Sequence, residues 1–338
     1  YDNFSQLIRE HDYKNRITIR YKYDKYGNIL SKKVYKLNTY DQISQNIYKY
    51  ENNKVILLLN KKTMAGLAGY VKDGELSKAG IKRACEVLKA YREIVENFQI
   101  ENVFVFATAS LRNVSNTDEA VLRIKEETGF NTEIILGENE AIYDFIGASQ
   151  VVDISDGILI DIGGGSTELV MYKNKEIIKA YSIPLGSLSM YSKYVSNLIP
   201  TEDERLAIKG EVLSQLKKLD GIKENSVACG VGGTIRATGE LCENIFKKKA
   251  TKTLIKSENI KKIIRKCDES EKGLLKKILK VVPDRVHTII PGMIILNTIV
   301  RFYEIEEIHV SPYGVREGYL FSKVLGGVSD VKEKWFRY

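Results

Sequence analysis

Three consecutive glycines directly behind a short apolar strand constrain this chain more than any other string in it. The run is Ile158-Leu159-Ile160-Asp161-Ile162-Gly163-Gly164-Gly165-Ser166-Thr167-Glu168. Backbone without side chains lets an anion come close, and the amides of Gly164 to Ser166 can turn toward phosphate oxygens. Asp161 and Glu168 bracket the loop with carboxylates suited to Mg²⁺. A dinucleotide fingerprint needs a further glycine opening a helix, whereas Glu168 stands there and Leu169-Val170-Met171-Tyr172 continues as apolar strand. A Walker loop needs a Gly-Lys-Ser/Thr ending, which is absent. The turn therefore joins two strands. A glycine-rich hairpin without a ligand is the plainer alternative; the flanking acids and the Ser-Thr pair favour phosphate.

With 338 residues, 43% of them hydrophobic, the chain can bury a sizeable core and suits two domains better than one. No apolar run approaches a membrane span, and Tyr1-Asp2-Asn3-Phe4-Ser5 lacks the charged-then-apolar layout of a leader. A cytoplasmic location without a membrane partner is expected. Cys85, Cys229, Cys242 and Cys267 show no CxxC spacing, and the histidines are His11, His287 and His309, which argues against zinc, disulfide and Ser-His or Cys-His chemistry. Acid–base work falls to carboxylates. A net charge of +8, with clusters such as Lys247-Lys248-Lys249, attracts polyanions. No nucleic-acid motif accompanies it, so no specific nucleic-acid partner is expected, and solvated helix faces account for single clusters.

Two stretches read alike. Asn46 to Ile56 before Ala65-Gly66-Leu67, and Leu169 to Ile178 before Leu185-Gly186-Ser187-Leu188, are each a strand, a polar Asn/Lys turn, a second strand and a short glycine turn, which suggests internal duplication. Ser77 caps a helix running through Val95, and Thr201 with Glu204 forms a capping box before Leu206 to Leu216. Strands at Val103–Thr108 and Ser226–Val231 follow, and the Lys-rich stretch 256–280 has helical apolar spacing. Strands and helices alternating in two similar halves predict an α/β protein of two lobes with a cleft between them. Tyr21 to Asn28, polar and aromatic with a turn at Gly27-Asn28, receives no function.

Four more segments stand out: Ala107 to Asn116, with Arg112; Gly137-Glu138-Asn139-Glu140-Ala141; Gly230-Val231-Gly232-Gly233-Thr234-Ile235-Arg236; and Val315-Arg316-Glu317-Gly318. In this order, and with the Asp161 to Leu169 string, they resemble the exopolyphosphatase and guanosine pentaphosphate phosphohydrolase (Ppx/GppA) family of the actin-like ATPase superfamily, from about Asn46 to about Phe321. Pro291 to Leu296 and Ser311 to Leu320 match its end as well. The resemblance implies two actin-like (ribonuclease H-like) lobes, one from residues 1–137 plus about 313–338, the other from 138–312. It implies Glu140 as the catalytic carboxylate and Asp161 and Glu168 as the acids that hold Mg²⁺ and the attacking water. Substrate contacts are expected from Arg112, Asn116, Gly163, Gly164, Gly165, Ser166, Thr167, Gly232, Gly233 and Thr234. The implied substrates are inorganic polyphosphate and guanosine pentaphosphate, the latter linking the chain to the stringent response. Phosphoanhydride hydrolysis needs these residue types independently: a carboxylate to orient water, cations to take up charge, and oriented amides around the terminal phosphoryl group. Burial and neighbouring carboxylates are expected to move the pKa of Glu140 toward working pH.

The chain also departs from the family's pattern. Asn139 replaces the first Glu of the Gly-x-Glu-Glu-Ala string. Arg285-Val286-His287 ends in His where an acid is common. Residues 36–46, Lys36-Leu37-Asn38-Thr39-Tyr40-Asp41-Gln42-Ile43-Ser44-Gln45-Asn46, carry none of the glycine of the family's first phosphate loop, Asp-x-Gly-Ser-Asn-Ser. Two alternatives therefore stand beside the hydrolase: a degenerate, non-catalytic binder of polyphosphate or a phosphorylated guanine nucleotide, and an actin-like kinase or ATPase, which the Glu140 string disfavours. Oligomeric state is left open, a homodimer included.

Overall fold

The computed structural model describes residues 9–12, 17–23, 29–36, 42–51, 54–59, 66–97, 103–153, 155–219, 227–247 and 250–324. The chain divides into two compact units, Tyr1–Met64 and Ala65–Tyr338. The 138–312 segment lies wholly within the second.

In the first unit, β1 (Arg9–Asp12), β2 (Ile17–Tyr23), β3 (Ile29–Lys36), β4 (Gln42–Glu51) and β5 (Lys54–Leu59) form an antiparallel meander in chain order. The anticipated hairpin is β4–β5, with Tyr48 opposite Leu57. Of the stretch compared with the family's first phosphate loop, residues 37–41 lie outside the described residues. Gln42 to Asn46 belong to β4, where Gln42 pairs with Tyr35 and Asn46 with Lys32.

The second unit opens with a short hairpin, β6 (Val71–Lys72) and β7 (Glu75–Leu76), and α1 (Lys78–Asn97), whose Gly80 N–H donates to Ser77 Oγ at 3.3 Å. β8 (Val105–Ala107), α2 (Ala109–Arg112), α3 (Thr117–Thr128) and β9 (Thr132–Ile134) follow, β8 and β9 pairing in parallel. Leu76, Ile81, Cys85, Leu111 and Ile124 form their core.

After α4 (Gly137–Ser149) come β10 (Gly157–Ile162), β11 (Thr167–Lys173), β12 (Glu176–Ile183), α5 (Ser187–Tyr194) and α6 (Glu202–Leu216). Then come β13 (Val227–Val231), α7 (Gly232–Phe246), β14 (Leu254–Lys256), α8 (Ser257–Glu269), α9 (Glu271–Val281), α10 (Ile289–Phe302), β15 (Glu307–Val310) and α11 (Val315–Tyr319). The sheet runs β12-β11-β10-β13-β15-β14, with β12, β11 and β10 antiparallel and β10, β13 and β15 parallel. The β11–β12 turn is Asn174-Lys175 with φ of +53° and +65°, the positive pair that matches strand twist in a two-residue hairpin. The capping box opening α6 is present, with Glu204 N–H to Thr201 Oγ1 at 3.3 Å and Thr201 N–H to Glu204 Oε2 at 2.8 Å.

Strand alternation sorts the two faces of this sheet. Ile158, Ile160 and Ile162 of β10 pack with α6, α7, α8 and α10, whereas Leu159 and Val170 pack with Ile142, Phe145 and Ile146 of α4. A strand apolar on both faces is what a central position between helix layers requires. No helix among the described residues is long and apolar enough to cross a membrane.

Candidate active site

On the α4 face, register sets three polar residues in a row across the strands. Asp161 of β10 lies opposite Glu168 of β11, which lies opposite Ser182 of β12. Opposed residues share a face at about 5 Å between Cβ atoms. Asp161 also pairs with Val231, after which the chain turns into α7 through Gly232 at φ +79°. Any side chain at Gly232 would put its Cβ 1.8 Å from Asp161 Oδ1.

The glycine loop closes the β10–β11 hairpin, Gly163 N–H donating to Ser166 O at 2.9 Å. Its carbonyls are held from outside: Ser187 N–H bonds Gly163 O at 2.9 Å, and Leu188 and Ser189 N–H bond Gly164 O at 3.0 and 2.9 Å. The amides of Gly164, Gly165 and Ser166 have no hydrogen-bond partner among the described residues. None of these glycines has a positive φ, and a Cβ at Gly164 would meet only Leu188 Cβ, at 3.7 Å. Neither backbone conformation nor internal packing demands glycine at 164. Glycine there leaves the amides open to a group approaching from outside. The N-terminus of α7, capped by no side chain, adds the first-turn amides of Gly232, Gly233 and Thr234 beside Asp161.

Glu140 stands in the first turn of α4, which packs across this face. Its Oε2 accepts from Arg112 Nη1 at 2.7 Å, and Thr108 gives it a second hydrogen bond. Arg112 Nη1 also donates to Ile135 O at 3.0 Å, and Nη2 to Ser182 Oγ at 3.1 Å. Ser182 Oγ–H donates to Glu168 Oε1 at 2.7 Å. The Arg112, Glu140 and Glu168 side chains are 12%, 9% and 1% exposed, so these charges meet where water screens them little. A cavity of about 450 Å³ opens beside them, lined by Arg112, Asn113, Gly137, Glu138, Tyr181 and Ser182.

Burial lifts the carboxyls of Glu140, Glu168, Asp161 and Asp144 above their ordinary range. For Glu140 it outweighs the Arg112 ion pair and the Thr108 hydrogen bond. For Glu168, burial and the charges of Glu140 and Asp161 act against hydrogen bonds from Ser166 and Ser182. Asp161 is pushed to about 7 by burial and Glu140, against Arg236 and Arg285. The fourth acid is Asp144, fully buried four residues beyond Glu140 and raised by burial and by Asp161, Glu168 and Glu140. The Val315 amide is turned toward it, yet neither carboxylate oxygen closes a hydrogen bond of normal geometry among the described residues.

The fold thus brings together Glu140, Asp161, Glu168, Arg112, the 163–166 loop and the Gly232-Gly233-Thr234 turn. It holds two expected contacts elsewhere. Asn116 has both ends of its amide on Leu76, accepting from its N–H at 2.9 Å and donating to its carbonyl at 3.0 Å. Thr167 Oγ1 is spent on Leu185 O at 2.8 Å. Sequence reasoning missed Ser182, Asp144, Arg236 and the place of Arg285, whose guanidinium lies over Gly233, 2.0 Å from where a Cβ would stand. The i, i+4 spacing from Glu140 was the available signal for Asp144.

This α/β architecture, with three antiparallel strands continued by parallel ones and the polar rung at their end, is of the actin-like (ribonuclease H-like) class. An exopolyphosphatase from Cytophaga hutchinsonii has the same fold, with a TM-score of 0.70 at 21% identity over 89% of this chain and 96% of that one. The profile of the Ppx/GppA phosphatase family matches residues 47–326, and the chain belongs to that family. It is 31% identical over 265 residues to a bifunctional 3-dehydroquinate synthase/phosphatase of Fusobacterium nucleatum, across 75% of this chain and 39% of the relative. It is 27% identical over 264 residues to a guanosine-5'-triphosphate,3'-diphosphate pyrophosphatase of Pseudoalteromonas translucida, across 75% of this chain and 51% of the relative. The chain thus spans well under two thirds of both relatives.

Proposed function

We propose that the chain hydrolyses phosphoanhydrides, removing the terminal phosphate of inorganic polyphosphate and of guanosine pentaphosphate with Mg²⁺. The observation that carries this reading is the glycine loop, which offers three amides without a partner among the described residues next to half-buried Asp161 and buried Glu168 and Glu140. Family membership and the names of the relatives support the reaction class.

The residues fit Mg²⁺. All candidate ligands are hard oxygens, and Asp161 Oδ1 is buried without a hydrogen-bond partner among the described residues. No three acids among the described residues are arranged to ligate a metal by themselves, and Mg²⁺ does not need three, since it takes one or two carboxylates and completes its shell with phosphate oxygens and water. Asp161 and Glu168 would hold it, and when bound it neutralises phosphate charge. Glu140 orients the attacking water and accepts its proton at Oε1 or Oε2. The amides of Gly164 to Ser166 and the α7 N-terminus receive the phosphoryl oxygens, with Arg112, Arg236 and Arg285 as the neighbouring cations.

Phosphate release from long-chain polyphosphate, with and without Mg²⁺, tests the reading against Asp161→Asn. Metal-dependent release that the variant lacks supports it, and metal-independent release in both refutes it. The strand placement of Gln42 to Asn46 favours a second reading, a protein that binds these substrates with weak turnover.

A further inference from the structure

We propose that Ser182 is a positioning residue that holds Arg112 and Glu168 apart, leaving Glu168 open to a divalent cation and Arg112 with Glu140. The inference rests on the reading of Glu168 as a metal ligand. A hydroxyl has one proton to give and lone pairs to receive with. Ser182 uses both, donating to Glu168 Oε1 at 2.7 Å and accepting from Arg112 Nη2 at 3.1 Å. Arg112 Nη2 and Glu168 Oε1 are 3.8 Å apart, too far for a hydrogen bond and close enough for strong attraction in so buried a place. Without the hydroxyl, the pair would close into a direct charge-assisted bond. A carboxylate oxygen committed to a guanidinium in that way is withdrawn from a cation.

A second residue is shaped to this arrangement. Gly137 opens α4 without a positive φ, so its backbone does not require glycine, and helix propensity favours alanine. A Cβ there would lie 2.4 Å from Ser182 Cβ, 2.7 Å from Ser182 Oγ and 3.3 Å from Arg112 Nη2. Gly137 is glycine because Ser182 and Arg112 meet against it. The string containing Glu140 thereby also sets the spacing of the metal side, 45 residues further on in sequence at Ser182.

The test is calorimetric titration of the substrate-free protein with Mg²⁺ alone, together with crystal structures of the metal-free variants. Ser182→Ala should weaken Mg²⁺ binding about tenfold, the range for groups that orient a ligand carboxylate. Gly137→Ala, which displaces the hydroxyl without removing it, should do the same and serves if Ser182→Ala does not fold. In an Arg112→Gln background Ser182→Ala should cost less than about threefold, because the competitor for Glu168 is gone. The metal-free Ser182→Ala structure should show Arg112 Nη2 within hydrogen-bond distance of Glu168. Unchanged Mg²⁺ affinity in folded variants, or an equal loss with and without Arg112, overturns the proposal. A wild-type protein that binds no Mg²⁺ overturns the metal assignment instead, and the Arg112–Glu168 distance in the variant then decides the spacer role.

Discussion

Glu140 and Arg112 are each other's nearest charges, so a substitution at either is read through the other. Glu140→Gln keeps an acceptor for Arg112 Nη1 and removes the proton acceptor. Phosphate release should fall by about 10²–10⁴, with polyphosphate affinity within a few-fold of wild type. Near-normal turnover would dismiss Glu140 from that role, and lost affinity would recast it as a binding residue. Arg112→Ala goes further than the loss of a phosphate contact, because it leaves a 9%-exposed carboxylate without its counter-ion. Arg112 holds the Glu140 pKa down against burial. Its removal therefore raises that pKa, and the acidic limb of kcat/KM against pH should move to higher pH. A profile that drops uniformly without moving would show that Arg112 acts on substrate alone. Asp144 was only half legible in the sequence: its i, i+4 spacing marks one helix face, but only the packed sheet shows that this face meets Asp161 and Glu168.

Elements were legible where periodicity or turn chemistry is local, and the links between them were not. The β10–β11 hairpin, the Thr201 capping box and the helix after Ser77 follow from neighbours in sequence. The Asp161, Glu168 and Ser182 rung depends on hairpin register, where a slip of one residue would turn Glu168 to the opposite face. Ser182 meets Arg112 across 70 positions, a distance no motif spans. The bracing of the glycine loop by the start of α5 is likewise tertiary, and it separates two glycines that look alike in sequence. A Cβ at Gly186 would lie 2.5–2.6 Å from the Gly164 and Gly165 backbone, whereas one at Gly164 finds ordinary contact at 3.7 Å. Gly186→Ala should lower Tm by several degrees and displace the loop. Gly164→Ala should keep the wild-type Tm and weaken phosphate binding about tenfold or more, because its methyl obstructs the approach of an anion to the neighbouring amides. Equal Tm losses in both would mean that Gly164 serves packing after all.

For the whole molecule, the buried acids couple folding to pH and to metal. A carboxyl raised in the fold contributes stability that is complete below its unfolded pKa and is lost as pH rises through its folded value. Asp161, raised from 3.8 to about 7, sets that window, and Asp144, Glu168 and Glu140 shift in the same direction. Glu133, Glu204 and Glu211, lowered by their partners, act the opposite way in the acid range beneath it. Metal-free protein should lose Tm between about pH 4 and pH 7, with Mg²⁺ restoring more of it at pH 8 than at pH 5. Asp161→Asn should flatten that slope, and an unflattened slope would remove Asp161 from the account. The other whole-chain question is residues 36–46, which carry no glycine where a first phosphate loop is expected. Set side by side in chain order, the antiparallel runs β3-β4-β5 and β10-β11-β12 align residues 37–41 in sequence with the glycine loop. If those residues have replaced a working cradle, several oriented amides are missing from the transition state, and even one such donor is worth about a hundredfold in rate. Turnover should then be weak while Gly163 to Ser166 still bind phosphate. Rebuilding the segment from Leu37 as Asp-Ile-Gly-Ser-Asn-Ser should raise phosphate release by at least tenfold. A folded rebuilt protein with an unchanged or lower rate would show that the limiting step lies elsewhere, and that the correspondence of the two sets of strands does not extend to their loops.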